Sequence, residues 1–284
     1  MVAATAEVPE AEAEGKIKDV YADIKATLRV PIVPALFRSL AVYPDYLLMA
    51  WRVLKPNAQT VFFESAADRV RRTAVEAVGQ ARSGSAAPAD DGLRGATRAL
   101  HYAAPKHFLA ATALRAASTG QQPKLTELPQ DEKRQISPGI PEGVSLTLPP
   151  PAEVDAQAAA VLAELAQTLG LERTVSDVAV MAPWPAALAE QWQTWKSVAS
   201  GPEYRRVLVA VRRVADEAIS ALPFRMDVYP HALRHAGLSE RDIDEIRGLL
   251  TVYCRELPAL VVGIASMSVG IEGRDRAMES PFPA

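Results

Sequence analysis

One acidic residue stands in a stretch of the sequence that is otherwise apolar. Ser176 and Asp177 are followed by five apolar residues, 178–182, so we expect the aspartate to lie in a short, largely buried helix. A carboxylate in such a place can cap the helix by accepting hydrogen bonds from free backbone N–H groups, or it can take a proton as a general base. Ser176 and Asp177 are therefore the first candidates for a functional site.

The same pattern occurs twice in the sequence, and the aspartate is present in only one copy. Positions 20–55 resemble positions 161–196 in one unbroken register, and the first-copy counterpart of Asp177 is Leu36. Such self-similarity indicates two copies of one supersecondary unit, each presenting a face that the other can cover. A seam between the copies, lined by apolar groups, is the expected place for a small-molecule site.

Other reactive side chains give weaker signals. His231 and His235 have the spacing of two metal ligands on one helix face, but no third ligand is evident, so the sequence predicts no metal site. His101 and His107 flank a proline without a nearby carboxylate, and we expect them to pack or to face solvent. Cys254, the only cysteine, lies in an apolar run and is expected to behave as a small buried hydrophobe.

Composition narrows the class of protein. The net charge of −3 lacks the basic excess that most nucleic-acid binders carry, and no run of residues has the length and apolar character of a membrane span. The acidic N-terminus has neither the basic nor the apolar region of a secretory signal. We therefore expect a cytoplasmic protein that binds neither nucleic acid nor membranes, and no motif calls for a cofactor.

The periodicity of the apolar residues predicts an all-α fold. Apolar residues recur at helical spacing through both copies, and no convincing strand pattern interrupts them. The segment between the copies is rich in proline, glycine and charge, which is typical of an extended linker. The sequence thus predicts a first helical repeat at 1–118, a linker at 119–151 and a second repeat at 152–284 that carries Asp177.

Two prolines are expected to divide the last helical segment of each repeat, because proline lacks the backbone N–H that a helix interior needs. The predicted pieces are 93–102 and 106–117 around Pro105, and 239–256 and 259–269 around Pro258.

Several motifs resemble one known family. Val20-Tyr-Ala-Asp-Ile-Lys-x-Thr-Leu-Arg-Val-Pro, Leu36-Phe-Arg-x-Leu-Ala-x-Tyr-Pro-Asp-Tyr-Leu, Pro105-Lys106 and the Ser176-Asp177 pair are similar to the group I 2-haloacid dehalogenases, the DehI family. The resemblance extends over nearly the whole chain. It implies an all-α pseudo-dimer that pairs into a homodimer, uses no cofactor and has its active site between the repeats.

The resemblance also implies a reaction and a set of site residues. A family member hydrolyses a 2-haloalkanoic acid without a covalent ester, with an aspartate activating the water that displaces halide from the α-carbon with inversion. Asp177 matches that aspartate, and partial burial is expected to raise its basicity. The positions that match the substrate-binding wall are Ser176, Ile32, Ala35, Phe37, Ala104 and Tyr253.

Two of these positions depart from the family pattern, and two other functions stay open. The family has an aromatic residue at the position of Ile32 and an asparagine at the position of Ala104. The first change enlarges the pocket, and the second removes an amide partner for the attacking water. The alternatives are a diverged protein that binds or hydrolyses another apolar carboxylic acid in the same cleft, and a purely structural helical protein, which leaves the single-copy Ser176-Asp177 pair unexplained.

Overall fold

The computed structural model describes residues 7–79, 89–124, 127–142, 144 and 146–283, and its regular structure within them is helical apart from one antiparallel bridge between Thr60 and Gln135. The first half contains α1 (Gly15–Leu28), α2 (Ala35–Leu40), α3 (Pro44–Ala58), α4 (Val61–Gly79) and α5 (Asp91–Ser118). A short α6 (Gln130–Lys133) lies in the connecting segment. The second half contains α7 (Ala156–Leu169), α8 (Val175–Val178), α9 (Pro185–Ala199), α10 (Tyr204–Ser220), α11 (Pro230–His235), α12 (Glu240–Glu272) and α13 (Arg274–Met278). The all-α prediction is confirmed.

Helix boundaries in the two halves follow the sequence pattern closely. Both ends of α7 match those of α1 in the register of the sequence repeat, and both ends of α9 match those of α3 in the same way. Helices α3 and α9 each begin at a proline, which suits the first helical position because its N–H has no partner there in any case. Helices α1 and α7 are each followed by a residue in the left-handed conformation, Arg29 and Gly170 respectively.

The predicted breaks at the two prolines are wrong. Helix α5 continues through Pro105, and α12 continues through Pro258. A proline inside a helix costs about 3 kcal/mol, because it removes one hydrogen bond and crowds the preceding turn. Residues 99–114 and 256–271 are buried without interruption, so the burial of apolar surface on both sides of each proline offsets that cost.

The core is built around these two long helices. Helix α5 packs along α12, and α12 also contacts α4, α9 and α10. Close packing of α12 against α9 requires Gly263, because a Cβ at this position would overlap the indole of Trp195. The most apolar 18-residue window of α12 has a mean hydropathy of 1.4 and the length to cross a membrane, but 72% of it is buried inside the protein, as expected of a core helix.

The connecting segment is tied to the first half by backbone hydrogen bonds. The N–H of Val61 donates to the carbonyl of Arg134 at 2.9 Å, and the N–H of Ile136 donates to the carbonyl of Gln59 at 2.8 Å. Further along, the N–H of Gly139 donates to the carbonyl of Ala26 at 2.9 Å. Residues 134–139 of this segment therefore run along the first half.

Candidate active site

Asp177 lies where the short helices of the two halves meet. The residue is 4% exposed, and its Oδ1 accepts a hydrogen bond of 2.9 Å from the backbone N–H of Ala35, the first residue of α2. A carboxylate is favoured there because the first N–H groups of a helix lack partners within the helix. The alternative that Ser176 and Asp177 cap their own helix is wrong, because α8 has no side-chain cap and Asp177 binds α2.

His107 of α5 is the second partner of Asp177. Its Nδ1 lies 3.0 Å from Asp177 Oδ2, and its Nε2 accepts a 3.2 Å hydrogen bond from the backbone N–H of Leu36. Because Nε2 is an acceptor, the imidazole is neutral and carries its proton on Nδ1. The expectation that His107 merely packs or faces solvent is therefore wrong.

Arg38 supplies the positive charge of the site. Its Nη1 lies 3.3 Å from Asp177 Oδ1 and also donates to the carbonyl of Val33, while its Nη2 donates to Ser176 Oγ at 2.8 Å. On the opposite side, its Nε donates to Glu7 Oε2 at 2.8 Å. The buried guanidinium thus joins two carboxylates and one hydroxyl. We expected an apolar seam between the two halves, but around Arg38 the structure has a polar network.

These neighbours set the protonation state of Asp177. Burial alone would raise the pKa of its carboxyl, but the hydrogen bond from His107, the charge of Arg38 and the N–H of Ala35 together hold that pKa below its ordinary value. The expectation that burial increases the basicity of Asp177 is wrong for this reason. The carboxylate is fully ionised at neutral pH and is a weaker base than a free aspartate.

Tyr253 of α12 closes another side of the site. Its hydroxyl lies 2.8 Å from Ser39 Oγ, and its ring lies 5.7 Å from the imidazole of His107, centroid to centroid. Burial, followed by the charge of Glu7, raises the pKa of the Tyr253 hydroxyl well above its ordinary value. Tyr253 therefore stays protonated and acts as a hydrogen-bonding group.

The helix that carries Asp177 is anchored by a second buried carboxylate. Glu256 of α12 accepts hydrogen bonds at its Oε2 from the backbone N–H groups of Arg173 and Thr174, at 2.9 and 3.0 Å. The Thr174 hydroxyl lies 3.3 Å from the same oxygen. Because these residues lead directly into α8, Glu256 fixes the start of the helix on which Asp177 lies.

The remaining predicted wall residues have different surroundings. Ile32 is buried in the segment between α1 and α2, and Ala104 is buried in α5, three residues before His107. Ala35 contacts Asp177 through its backbone N–H. The ring of Phe37 lies edge-on against Trp51 of α3, with centroids 5.7 Å apart, and so belongs to the packing of the first half.

Three residues of the network are absent from the sequence-based prediction, namely His107, Arg38 and Glu7. A signal existed for Arg38, because it is a charged residue inside the apolar run of α2, the same kind of exception that identified Asp177. No local signal marks His107 or Glu7, since their partners are distant in sequence.

The chain is similar to known 2-haloacid dehalogenases. Residues 31–135 match the model of a family described as "Halocarboxylic acid dehydrogenase DehI". The chain is 28% identical over 275 residues to an (R)-2-haloacid dehalogenase from Pseudomonas putida, which covers 90% of this chain and 89% of the relative. It is also 28% identical over 291 residues to a configuration-inverting 2-haloacid dehalogenase from Alcaligenes xylosoxydans xylosoxydans, covering 98% and 97% of the two chains.

The chain is also similar to solved structures of D-2-haloacid dehalogenase. A D-2-haloacid dehalogenase mutant in complex with D-2-CPA superposes with a TM-score of 0.86 at 25% identity, covering 93% of this chain and 95% of that one. The complex of D-2-haloacid dehalogenase with L-LA superposes with the same TM-score at 26% identity and the same coverage. Over residues 31–135 the chain thus matches the DehI family model, and over nearly its whole length it is similar to 2-haloacid dehalogenases.

Proposed function

We propose that this protein is a hydrolase that removes halide from 2-haloalkanoic acids, with Asp177 as the general base. The relatives named above are 2-haloacid dehalogenases, and they match over nearly the whole chain. The observation that carries the assignment is the buried, ionised Asp177, held between the Ala35 N–H and the Nδ1–H of His107. A carboxylate accepts about four hydrogen bonds. With Arg38, the described residues supply three, so Asp177 can accept one more, from a water molecule.

The proposed reaction is a single displacement. The water donates one proton to Asp177 while its oxygen attacks the α-carbon. The new C–O bond forms as the carbon–halogen bond breaks, and the halide leaves with the bonding electrons. The configuration at the α-carbon inverts, and the proton then passes from Asp177 to bulk water. A weak base that is ionised before the reaction suits this order of events, because proton transfer is needed only as the C–O bond forms.

The hydrogen bonds of Asp177 favour direct attack by water over an ester intermediate. Both carboxylate oxygens have protein donors, and the hydrogen bond from His107 makes Oδ2 a poorer nucleophile. A single turnover in H₂¹⁸O with enzyme in excess separates the two routes. Direct attack places ¹⁸O in the hydroxy acid, whereas an ester route delivers unlabelled oxygen from Asp177 in the first turnover.

The substrate-binding wall follows from the same assignment. We assign Ser176, Ile32, Ala35, Ala104 and Tyr253 to it, with Phe37 behind it. Ile32 and Ala104 leave more space than the aromatic residue and the asparagine of the family pattern, which favours a branched or longer 2-haloacid. The amide missing at Ala104 removes one partner for the water, and His107, three residues further along α5, supplies a donor to Asp177 instead.

The test is halide release by the parent protein and by Asp177→Asn from D- and L-2-haloacids of increasing length. Loss of a general base reduces kcat by about 10²- to 10⁴-fold. Equal activity in the two proteins would remove Asp177 from the mechanism. The second candidate function is binding of another apolar carboxylic acid. It is tested as well because the lowered pKa of Asp177 makes this residue a weak base. No turnover by the parent, with ligand affinity retained in Asp177→Asn, would favour that function.

The two-repeat organisation belongs to the same proposal. We assign 1–118 and 152–284 to two repeats of a pseudo-dimer, joined by the linker 119–151. The single register that relates α1 to α7 and α3 to α9 at both of their ends supports it. A homodimer and a cytoplasmic location stay predictions. Light scattering after size-exclusion chromatography tests the dimer, and fractionation of the source cells tests the location.

A further inference from the structure

The carboxylate of Glu7 makes contacts that a substrate carboxylate could make. Its Oε2 accepts the 2.8 Å hydrogen bond from Arg38 Nε, and its Oε1 accepts one of 3.1 Å from the hydroxyl of Ser176. Arg38 and Ser176 are themselves linked by the 2.8 Å bond from Nη2. Glu7 therefore occupies a two-point carboxylate site formed by a guanidinium and a hydroxyl.

This carboxylate site lies next to the proposed base. The guanidinium that binds Glu7 through Nε reaches Asp177 Oδ1 through Nη1, at 3.3 Å. A 2-haloacid whose carboxylate replaced that of Glu7 would have its α-carbon one bond away from the anchored group. The same guanidinium would then contact both the anchored acid and the base that activates the water.

Charge balance prevents Glu7 and the substrate carboxylate from occupying the site together. Arg38 faces both Glu7 and Asp177, and His107 is neutral, so this cluster already has one more negative than positive charge. Buried charges are costly unless they are paired. A third carboxylate beside Arg38 would double the excess, whereas exchange of Glu7 for the substrate leaves the charge of the site unchanged.

The exposed fractions of the side chains indicate that Glu7 is the group that a substrate displaces. The side chain of Glu7 is 15% exposed, compared with 3% for Arg38 and 6% for Asp177, so Glu7 is the outermost of the three. It belongs to residues 7–14, which precede α1. This segment is attached nearby by Val8, whose N–H donates to the Arg38 carbonyl at 3.0 Å, and by Glu10, which pairs with Lys25 at 2.6 Å.

We propose that Arg38 and Ser176 form the anchor for the substrate carboxylate, and that Glu7 is an internal substitute that the substrate displaces. The proposal rests on the dehalogenase function but extends it. Arg38 and Glu7 become specificity-determining residues for a carboxylic acid, and the segment 7–14 becomes a cover that opens when the acid binds.

The variants Glu7→Gln and Glu7→Ala test the displacement. An anchor that its own chain occupies for nine-tenths of the time weakens apparent substrate binding about tenfold. Both variants should therefore lower KM for 2-chloropropionate by up to about tenfold, with kcat changed little. Glu12→Gln removes the same charge from an exposed position of the same segment and should leave KM unchanged. An unchanged or higher KM in both Glu7 variants would overturn the proposal.

A binding measurement keeps this test independent of turnover. Calorimetry with propionate, which has no halogen to lose, should show tighter binding to both Glu7 variants than to the parent, and weaker binding to Arg38→Lys. Propionamide, its neutral analogue, should bind equally to the parent and the Glu7 variants. Tighter propionate binding without any halide release would support the anchor while refuting the dehalogenase function. An equal gain for propionamide would show that Glu7 only blocks space, and would overturn the proposal.

Discussion

His107 holds Asp177 from α5 while it is itself held by α2. Its Nδ1–H points at Asp177 Oδ2 from 3.0 Å, and its Nε2 accepts the N–H of Leu36 at 3.2 Å. These two bonds fix the tautomer and the plane of the ring together. His107 therefore connects elements that are far apart in the chain and orients the proposed base.

Two substitutions of His107 separate its two hydrogen bonds. Asparagine places an amide near the position of Nδ1, so His107→Asn should keep the donor to Asp177 and lose the acceptor for Leu36. Glutamine reaches the position of Nε2, so His107→Gln should do the reverse. We expect His107→Gln to lose about 10- to 100-fold in kcat, because the base is no longer oriented. His107→Asn should retain more activity but lose about 1–3 kcal/mol of stability from the unpaired Leu36 N–H.

The pH profile of kcat/KM provides a second readout for this pair. The hydrogen bond from His107 stabilises the ionised form of Asp177 and so lowers its pKa. Loss of the bond raises that pKa, and the acid limb of the profile should move to higher pH in His107→Gln but not in His107→Asn. The same acid limb in both variants and the parent would mean that the contact does not act on Asp177.

Glu256 is expected to act on catalysis through the position of α8. Glu256→Leu leaves the N–H groups of Arg173 and Thr174 without their buried acceptor, at a cost of about 1–3 kcal/mol for each group. Glu256→Gln keeps a neutral acceptor and should lose less. Urea denaturation measures the stability, and halide release should show a decrease in kcat in the same order. Full activity in a destabilised Glu256→Leu protein would contradict the positioning role.

His101 is expected to make the fold sensitive to acid. Burial, offset in part by the hydrogen bond to the Ala277 carbonyl, lowers the pKa of His101 to about 3 from the ordinary 6.5. As the pH falls below 6.5, the unfolded chain takes up a proton at this residue while the folded chain does not. Stability should therefore fall by up to about 1.4 kcal/mol per pH unit between about 6.5 and 3.

The control for this pH effect is His101→Gln, which keeps a donor for the Ala277 carbonyl but does not titrate. Urea denaturation at pH 7 and pH 5 should show a smaller loss of stability in the variant than in the parent. An equal loss in both proteins would mean that other groups account for the acid sensitivity.

Two glycines of α12 provide an internal comparison of packing. Gly263→Ala places a methyl group against Trp195, and overpacking of this kind costs about 1–3 kcal/mol or more. Gly248→Ala meets no atom within 4 Å and should gain about 0.5–1 kcal/mol, because alanine loses less backbone entropy in a helix. Thermal denaturation of both variants measures the two effects. Similar changes at the two positions would mean that α12 and α9 do not pack as described.

The helices could be predicted from the sequence because they depend on local spacing. The apolar period, the prolines at the starts of α3 and α9, and the internal repeat together indicate an all-α chain with helices near the observed positions. Asp177 was found in the same way, as a charge in an apolar run whose counterpart is aliphatic. The breaks predicted at the interior prolines are wrong, because burial of apolar surface in α5 and α12 outweighs the cost of a proline inside a helix.

The network around Asp177 depended on tertiary structure. Glu7, Arg38 and His107 all lie in the first half of the chain, far from Asp177 in the sequence, and no spacing rule connects them. Their proximity follows from the packing of α2, α5, α8 and the segment 7–14, which also reversed the expected shift in the pKa of Asp177. Local sequence determined which segments form helices and which residue is chemically exceptional. Only the folded chain decided the state of that residue, because desolvation, charge and hydrogen bonding act over distances in space and not along the chain.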